Sequence, residues 1–306
     1  IYDSTVPASN AGVDQDLCAP VSTTTMAADD ITAPGYGTWS LFSGNGTIID
    51  LNDPNTSIEN LTIGENIFVW EVYNGPCLLA PLTTDTVSIF IFDNLQESAD
   101  AGEGQDICTP QTSTFLEGNS ADFPAEGTWT LVSGGGTIVD SNNPNTEVTD
   151  LPVGENVFEW NVVNGSCPGG DTSDEVSIFI FDENQLDADA GEDQDFCTPF
   201  SSLNLDGNAI TFPAVGTWEL LNGTGTIADP NDPNTLVTNL DVGENIFEWT
   251  VDNGPCGEIT TDIVSIFIYN QFNEDANAGL DQELCTPDTT TNLTGNSPIF
   301  PSSGNW

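Results

Sequence analysis

Apolar and polar residues alternate at every second position in short bursts along the whole chain. In "ENIFEWTV" Phe247, Trp249 and Val251 share one face while Glu248 and Thr250 take the other, the period-two signature of a half-buried strand. "GTWELLNGTGTIAD" reads as a strand, a glycine-rich turn and a second strand. "TLVTNL" reads as a short strand and "IVSIFIYN" as the last one, while "DPNDPNT" at 229–235 carries Asx and proline turn chemistry. No stretch has a helical period. Short strands separated by Gly/Pro turns predict an all-β, immunoglobulin-like sandwich, and a unit of roughly 90 residues buries a modest core of its own.

The same pattern recurs. Cys18, Cys108, Cys197 and Cys285 follow one another at intervals of 90, 89 and 88 residues, and Trp39, Trp129, Trp218 and Trp306 keep the same intervals. Trp70, Trp160 and Trp249, in "GENIFVW", "GENVFEW" and "GENIFEW", complete the set of seven. Their phase with inward Phe and Val assigns these three to the core rather than to a sugar-stacking surface. A fixed period of this kind is the mark of a tandem array. Residues 1–9 read as the end of a preceding module and a linker. Residues 10–94, 95–184 and 185–271 read as three complete β-sandwich repeats, and 272–306 as the start of a fourth. "IYD" at the start matches the end of "IFIYN", so both ends are expected to be cuts through a longer array.

Charge sharpens the picture. The 306 residues hold 49 acidic side chains and no Lys, Arg or His, for a formal charge of −49. Disorder is the first expectation for so acidic a chain, but 37% of the residues are hydrophobic and they sit in strand register. Nucleic acid and anionic membranes are excluded as partners, because both are held by Lys and Arg. No apolar run approaches the ~20 residues that span a bilayer as a helix. Acid–base catalysis would have to rest on paired carboxylates or a metal alone, and the chain is not expected to be an enzyme.

Each complete module carries two cysteines 59 residues apart: Cys18 with Cys77, Cys108 with Cys167, Cys197 with Cys256. With no CxxC and no His, zinc is a poor reading and disulfides a good one. The expected pairing is one bond within each module, Cys285 taking a partner beyond residue 306. In an immunoglobulin-like sandwich the first strand starts at the pole where the last two strands are joined. A bridge there would clip the entering chain to the loop above it. Closing such a loop is worth roughly 4 kcal/mol, and disulfides imply an oxidising, extracytoplasmic setting.

The full pattern, "DAGxxQxxC…GTWxLxxGxGTIxDxNxPNTxVTxLxVGENxFxWxVxNGxC…DxVSIFI", resembles the PKD-like repeats of large secreted Bacteroidota proteins. Many of these are gliding-motility-associated, and SprB-type cell-surface adhesins are the best-known architecture. The resemblance covers nearly the whole chain and implies export by type IX secretion to the bacterial cell surface. It implies a structural or adhesive role, with the alternative of a stalk for a catalytic or carbohydrate-binding domain outside this stretch. Complete loss of Lys and Arg is a departure from the family, and so is "SIFIF" in the last strand.

Two sets of residues are candidate sites. The first is the acidic linker ahead of each first cysteine: Asp14 and Asp16; Asp100, Glu103 and Asp106; Asp187, Asp189, Glu192, Asp193 and Asp195; Asp281 and Glu283. Calcium takes six to eight oxygen ligands, many from carboxylates, so a calcium clamp that stiffens each junction is expected here. The turns at Asp50, Asn52 and Asp53 and at Asp229, Asn231 and Asp232 are explained more simply by Asx geometry. The second set lies in the last strand of each module. There Val87, Ile89 and Ile91 suit a core face, leaving Phe90 with Phe92, Phe179 with Phe181 and Phe267 with Tyr269 outside. Either a neighbouring loop folds over each pair, or a periodic apolar row invites a partner: a neighbouring repeat, a second chain in lateral self-association, or a surface polysaccharide or solid surface.

Overall fold

The computed structural model describes residues 8–74, 83–272, 274–298 and 303–306. The strands of module one are β1 (Gln15–Cys18), β2 (Thr24–Thr25), β3 (Tyr36–Ser43), β4 (Thr47–Ile48), β5 (Ser57–Glu59), β6 (Gly64–Tyr73) and β7 (Thr83–Phe92). Module two repeats them as β8 (Gln105–Cys108), β9 (Thr114–Phe115), β10 (Glu126–Ser133), β11 (Thr137–Ile138), β12 (Glu147–Thr149), β13 (Gly154–Val163) and β14 (Thr172–Phe181). Module three has β15 (Gln194–Cys197), β16 (Leu203–Asn204), β17 (Val215–Asn222), β18 (Thr226–Ile227), β19 (Leu236–Thr238), β20 (Gly243–Asp252) and β21 (Thr260–Tyr269). A 3-10 turn at Gly254–Cys256 interrupts the last connection.

Each module is a sandwich of a four-stranded and a three-stranded sheet. In module one the orders are β1-β7-β6-β3 and β2-β5-β4; in module three, β15-β21-β20-β17 and β16-β19-β18. The larger sheets begin with a parallel pair, Gln15 to Cys18 against Ile89 to Phe92 and Gln194 to Cys197 against Ile266 to Tyr269. The remaining pairings of modules one and three are antiparallel, and β3 and β17 shift register past Leu41 and Leu220.

The alternation seen in sequence is what fills the core. Phe68, Trp70 and Val72 of β6 and Val87, Ile89 and Ile91 of β7 are all buried, as are Phe247, Trp249, Val251, Val264, Ile266 and Ile268 in module three. Tryptophans from adjacent strands face each other in register, Trp39 with Trp70, Trp129 with Trp160 and Trp218 with Trp249. Their ring centroids are 4.9, 5.0 and 5.0 Å apart, the spacing at which aromatic pairs add to area burial.

A buried asparagine sits inside each apolar core. Asn66, Asn156 and Asn245, from the three "GEN" triplets, are buried. Asn156 Nδ2 donates to the carbonyls of Pro152, Gly154 and Ile178, and its Oδ1 accepts from Gly135 N. Asn66 and Asn245 make the matching bonds, accepting from Asn45 N and Thr224 N at 2.8 Å. The amide ties the glycine-rich turn to the strand behind it, so its burial is fully matched.

The chain divides into two compact units, Ile1–Gln105 with Thr112–Ile178, and Asp106–Gln111 with Phe179–Trp306. The first holds module one and most of module two. The second holds module three, the residues that follow it, and the ends of β8 and β14.

Candidate functional site

The pairing of cysteines is the main correction to the sequence reading. The bonds are Cys18–Cys167 and Cys108–Cys256, so each joins the first cysteine of one module to the second cysteine of the next. None of the expected bonds Cys18–Cys77, Cys108–Cys167 and Cys197–Cys256 forms; Cys77 itself lies outside the described residues. The reason is the direction of the first strand. β15 runs parallel to β21, which places Cys197 beside Tyr269 at the end of that strand. Cys256 lies in the connection that precedes Thr260, where β21 begins. Ten residues of strand rise by about 30 Å, whereas disulfide Cα atoms stand no more than ~7 Å apart. The two cysteines of one module are therefore at opposite poles, and only a neighbouring module can bring a partner. The observed Cα separations are 4.9 Å for Cys18–Cys167 and 5.4 Å for Cys108–Cys256.

Each bond sits in a small interface with recurring parts. In the first, inside the first unit, Asn164 Nδ2 donates to the Asp93 carbonyl at 2.7 Å, and Asn164 and Cys167 are buried. The second, inside the other unit, has Asn253 Nδ2 donating to the Asp182 carbonyl at 2.8 Å. An aromatic ring closes each joint. Phe92 and Phe181, expected on an open outer face, are both only 8% exposed. They lie against Gly165 and Gly254, which have φ of 53° and 56°. A Cβ on Gly254 would stand 2.7 Å from the Phe181 ring, and one on Gly165 would overlap the Phe92 ring. Glycine meets both the backbone conformation and the close approach.

The second aromatic of each pair extends the contact. Phe90 meets Phe123 edge to face at 6.3 Å, and Phe179 meets Phe212 at 6.2 Å. Phe123 and Phe212 remain about 60% exposed, so this pair forms the rim while Phe92 or Phe181 forms the centre. In module three Phe267 lies tilted against Tyr269 instead, with ring centroids 4.8 Å apart. The sequence signal for the joint is "Asn-Gly-x-Cys", in which the Asn-Gly positions the cysteine.

All twelve linker carboxylates named above are exposed. Several have backbone partners. Asp14 Oδ1 accepts from Ser88 N and Asp193 Oδ1 from Ser265 N, each at 2.8 Å. Asp100 and Asp189 close Asx turns on Gly102 N and Gly191 N at 2.9 and 3.0 Å. Asp85, Asp174 and Asp262, which the sequence did not single out, hold the linker to the last strand by accepting from Ala11 N, Ala101 N and Ala190 N. A carboxylate accepting a backbone N–H makes a charge-assisted bond that needs no side-chain cation. Among the described residues no three His, Cys, Asp or Glu side chains converge on a point that would hold a metal ion. The Asp50, Asp53, Asp229 and Asp232 carboxylates accept from Asn52 N, Asn55 N, Asn231 N and Asn234 N at 2.8–3.0 Å, the Asx turns expected.

The fold and the joints together define a tandem array of immunoglobulin-like β-sandwiches cross-linked between neighbours. No family model and no curated protein matches the chain. Solved structures to which it is similar include an I-band fragment of titin, at 14% identity over 87% of this chain and 99% of that one, with a TM-score of 0.33. Immunoglobulin domains 1–5 of Sidekick-1 are 12% identical over 87% of this chain and 60% of theirs, with a TM-score of 0.33. The PKD domain from KIAA 1837 protein is 24% identical over 29% of this chain and 91% of its own, with a TM-score of 0.26. The assignment of fold rests on the sheets and cores described above.

Proposed function

We propose that this chain is a structural repeat region of a long extracellular surface protein, an adhesin or filament, in which each sandwich is locked to the next. The observation that carries the reading is the pair of disulfides that join successive modules rather than closing each one. A module with its own tryptophan-paired core gains little fold from such a bond. The joint gains much, because a tethered contact acts at high effective concentration. The arrangement suits a protein that transmits pull or holds reach, and disulfides suit an oxidising exterior. Bacterial origin and a gliding-motility or SprB-type setting, reached by type IX secretion, follow from the resemblance of the repeat motif and belong to this proposal. So does self-association along the array or adhesion to polysaccharide. Calcium enters as counter-charge for the linker carboxylates.

Labelled antibody against this chain, applied to intact source cells, tests the reading. Decoration of structures projecting from the surface is expected. Labelling only after permeabilisation would overturn it.

A further inference from the structure

The two bonds overlap in sequence. Cys18–Cys167 closes over residues 18–167 and Cys108–Cys256 over 108–256, so the stretch 108–167 lies under both. Module two is therefore tied to each neighbour twice. Module one holds it by the backbone at 94–95 and through Cys167; module three holds it by the backbone at 184–185 and through Cys108. Two short segments join a tie on one side to a tie on the other: 95–108, with β8, and 167–184, with β14. Neither includes the Trp129–Trp160 pair or any strand from β9 to β13. In module one the matching segment is 10–18, which ends at the bonded Cys18. In module three it is 256–271, which starts at the bonded Cys256.

These segments decide what a pull on the chain reaches. A sandwich core is held by a marginal free energy, so a core on the line of pull opens long before a covalent bond yields. Without the bonds, opening module two alone would free the 89 residues from 95 to 184. With them, the 13 residues from 95 to 108 cap the gain at a reach of about 47 Å. Either bond suffices for module two, because 95–108 uses one and 167–184 the other. Over the whole chain the shortest covalent route with both bonds runs from residue 1 to Cys18, from Cys167 back to Cys108 and from Cys256 to residue 306. These runs of 17, 59 and 50 residues make 126, against 305 along the backbone.

We propose that the overlapping bonds form a load bypass: tension travels along 10–18, 95–108, 167–184 and 256–271, and the tryptophan-paired cores stay off its route. The inference rests on the stitched-array reading above. It adds a mechanical function to that reading, a chain that bears pull without lengthening although each module is only marginally stable. Loss of Cys18–Cys167 brings module one alone onto the route, and loss of Cys108–Cys256 brings module three alone. Reduction brings all three.

The test stretches the whole chain by its two ends in optical tweezers, first oxidised and then with reductant. The reduced chain should open in three module-sized steps to a contour of 305 residues, about 1,100 Å. The oxidised chain should show none of these steps at the same forces. It should stop at or below 126 residues, about 450 Å and about 2.4-fold shorter. C18S and C256S should each give one step. C108S combined with C167S, which removes the two cysteines of one module, should restore all three, where bonds closed within modules would give one. Module-sized steps in the oxidised chain at the forces that open the reduced one, or a single step in the double variant, would overturn the proposal. Non-reducing peptide maps of the same material separate it from the reading it rests on. Both bonds recovered with the steps still present would sink the bypass alone; bonds not recovered would sink the array reading with it.

Discussion

Asn164 and Asp93 are joined by a 2.7 Å hydrogen bond across 71 residues, and Asn253 repeats the bond to Asp182 at 2.8 Å across the same separation. An identical donor, acceptor and spacing at two joints make the joint a built feature of the repeat. It comprises one amide, one aromatic ring against one glycine, and one disulfide.

Non-reducing peptide mapping is expected to recover Cys18 with Cys167 and Cys108 with Cys256. Reduction should leave the far-ultraviolet dichroism and tryptophan emission of the modules nearly unchanged, because Trp39, Trp70, Trp218 and Trp249 are buried in cores away from the bonds. It should make the joints more open to proteolysis by an enzyme that cuts at acidic or apolar residues. Collapse of the tryptophan signal on reduction would show that the bonds hold the modules rather than the joints.

Gly254→Val places a branched side chain into the Phe181 ring at a left-handed backbone position. The joint should lose about 2–3 kcal/mol, the worth of a buried aromatic. Formation of Cys108–Cys256 during oxidative refolding should slow, while the melting of module three should move little. The paired variant Phe181→Ala should weaken the same joint without backbone strain. Equal and large losses of module stability in both would assign these residues to the module core.

Asn156→Ala removes three donated bonds and leaves Gly135 N without its acceptor inside the protein. A loss of about 2–3 kcal/mol is expected, since an orphaned buried group costs its full desolvation. Chemical denaturation read by Trp160 would measure it, and a change under about half a kcal/mol would contradict the role.

Module one departs from its siblings at one buried donor. Trp160 Nε1 donates to Asn119 Oδ1 and Trp249 Nε1 to Asn208 Oδ1. Module one has Asp29 at the matching place, and Trp70 Nε1 is buried without a hydrogen-bond partner. Asn119 and Asn208 also donate to the carbonyls of Ser98 and Asp187, which a carboxylate cannot do. Asp29→Asn should stabilise module one by about 1 kcal/mol and remove one like charge. A lower melting temperature in the variant would refute the comparison.

For the linkers, sodium chloride is expected to raise the melting temperature by screening, and the proposed calcium clamp to add an increment at equal ionic strength. With 49 carboxylates and no cation, self-repulsion is relieved by screening. The linker carboxylates are exposed and, among the described residues, do not converge. A calcium increment that survives matched ionic strength and reverses with chelator would establish the clamp through its mass-action stabilisation.

What the sequence determined by itself is local and periodic. The alternation in "ENIFEWTV" put Phe247, Trp249 and Val251 on one buried face, since side-chain direction in a strand repeats every two residues whatever surrounds it. The intervals between cysteines and tryptophans set the repeat, and Asp-Asn-Pro composition set the turns. The tertiary structure alone decided which pole each cysteine occupies, because that depends on whether the first strand runs parallel or antiparallel to the last, and period two reads the same in both directions. Cys18 therefore found Cys167 rather than a partner in its own module. For the same reason Phe92 and Phe181, outward by alternation, became buried: the surface that covers them belongs to the next module, which no pattern within a single strand records.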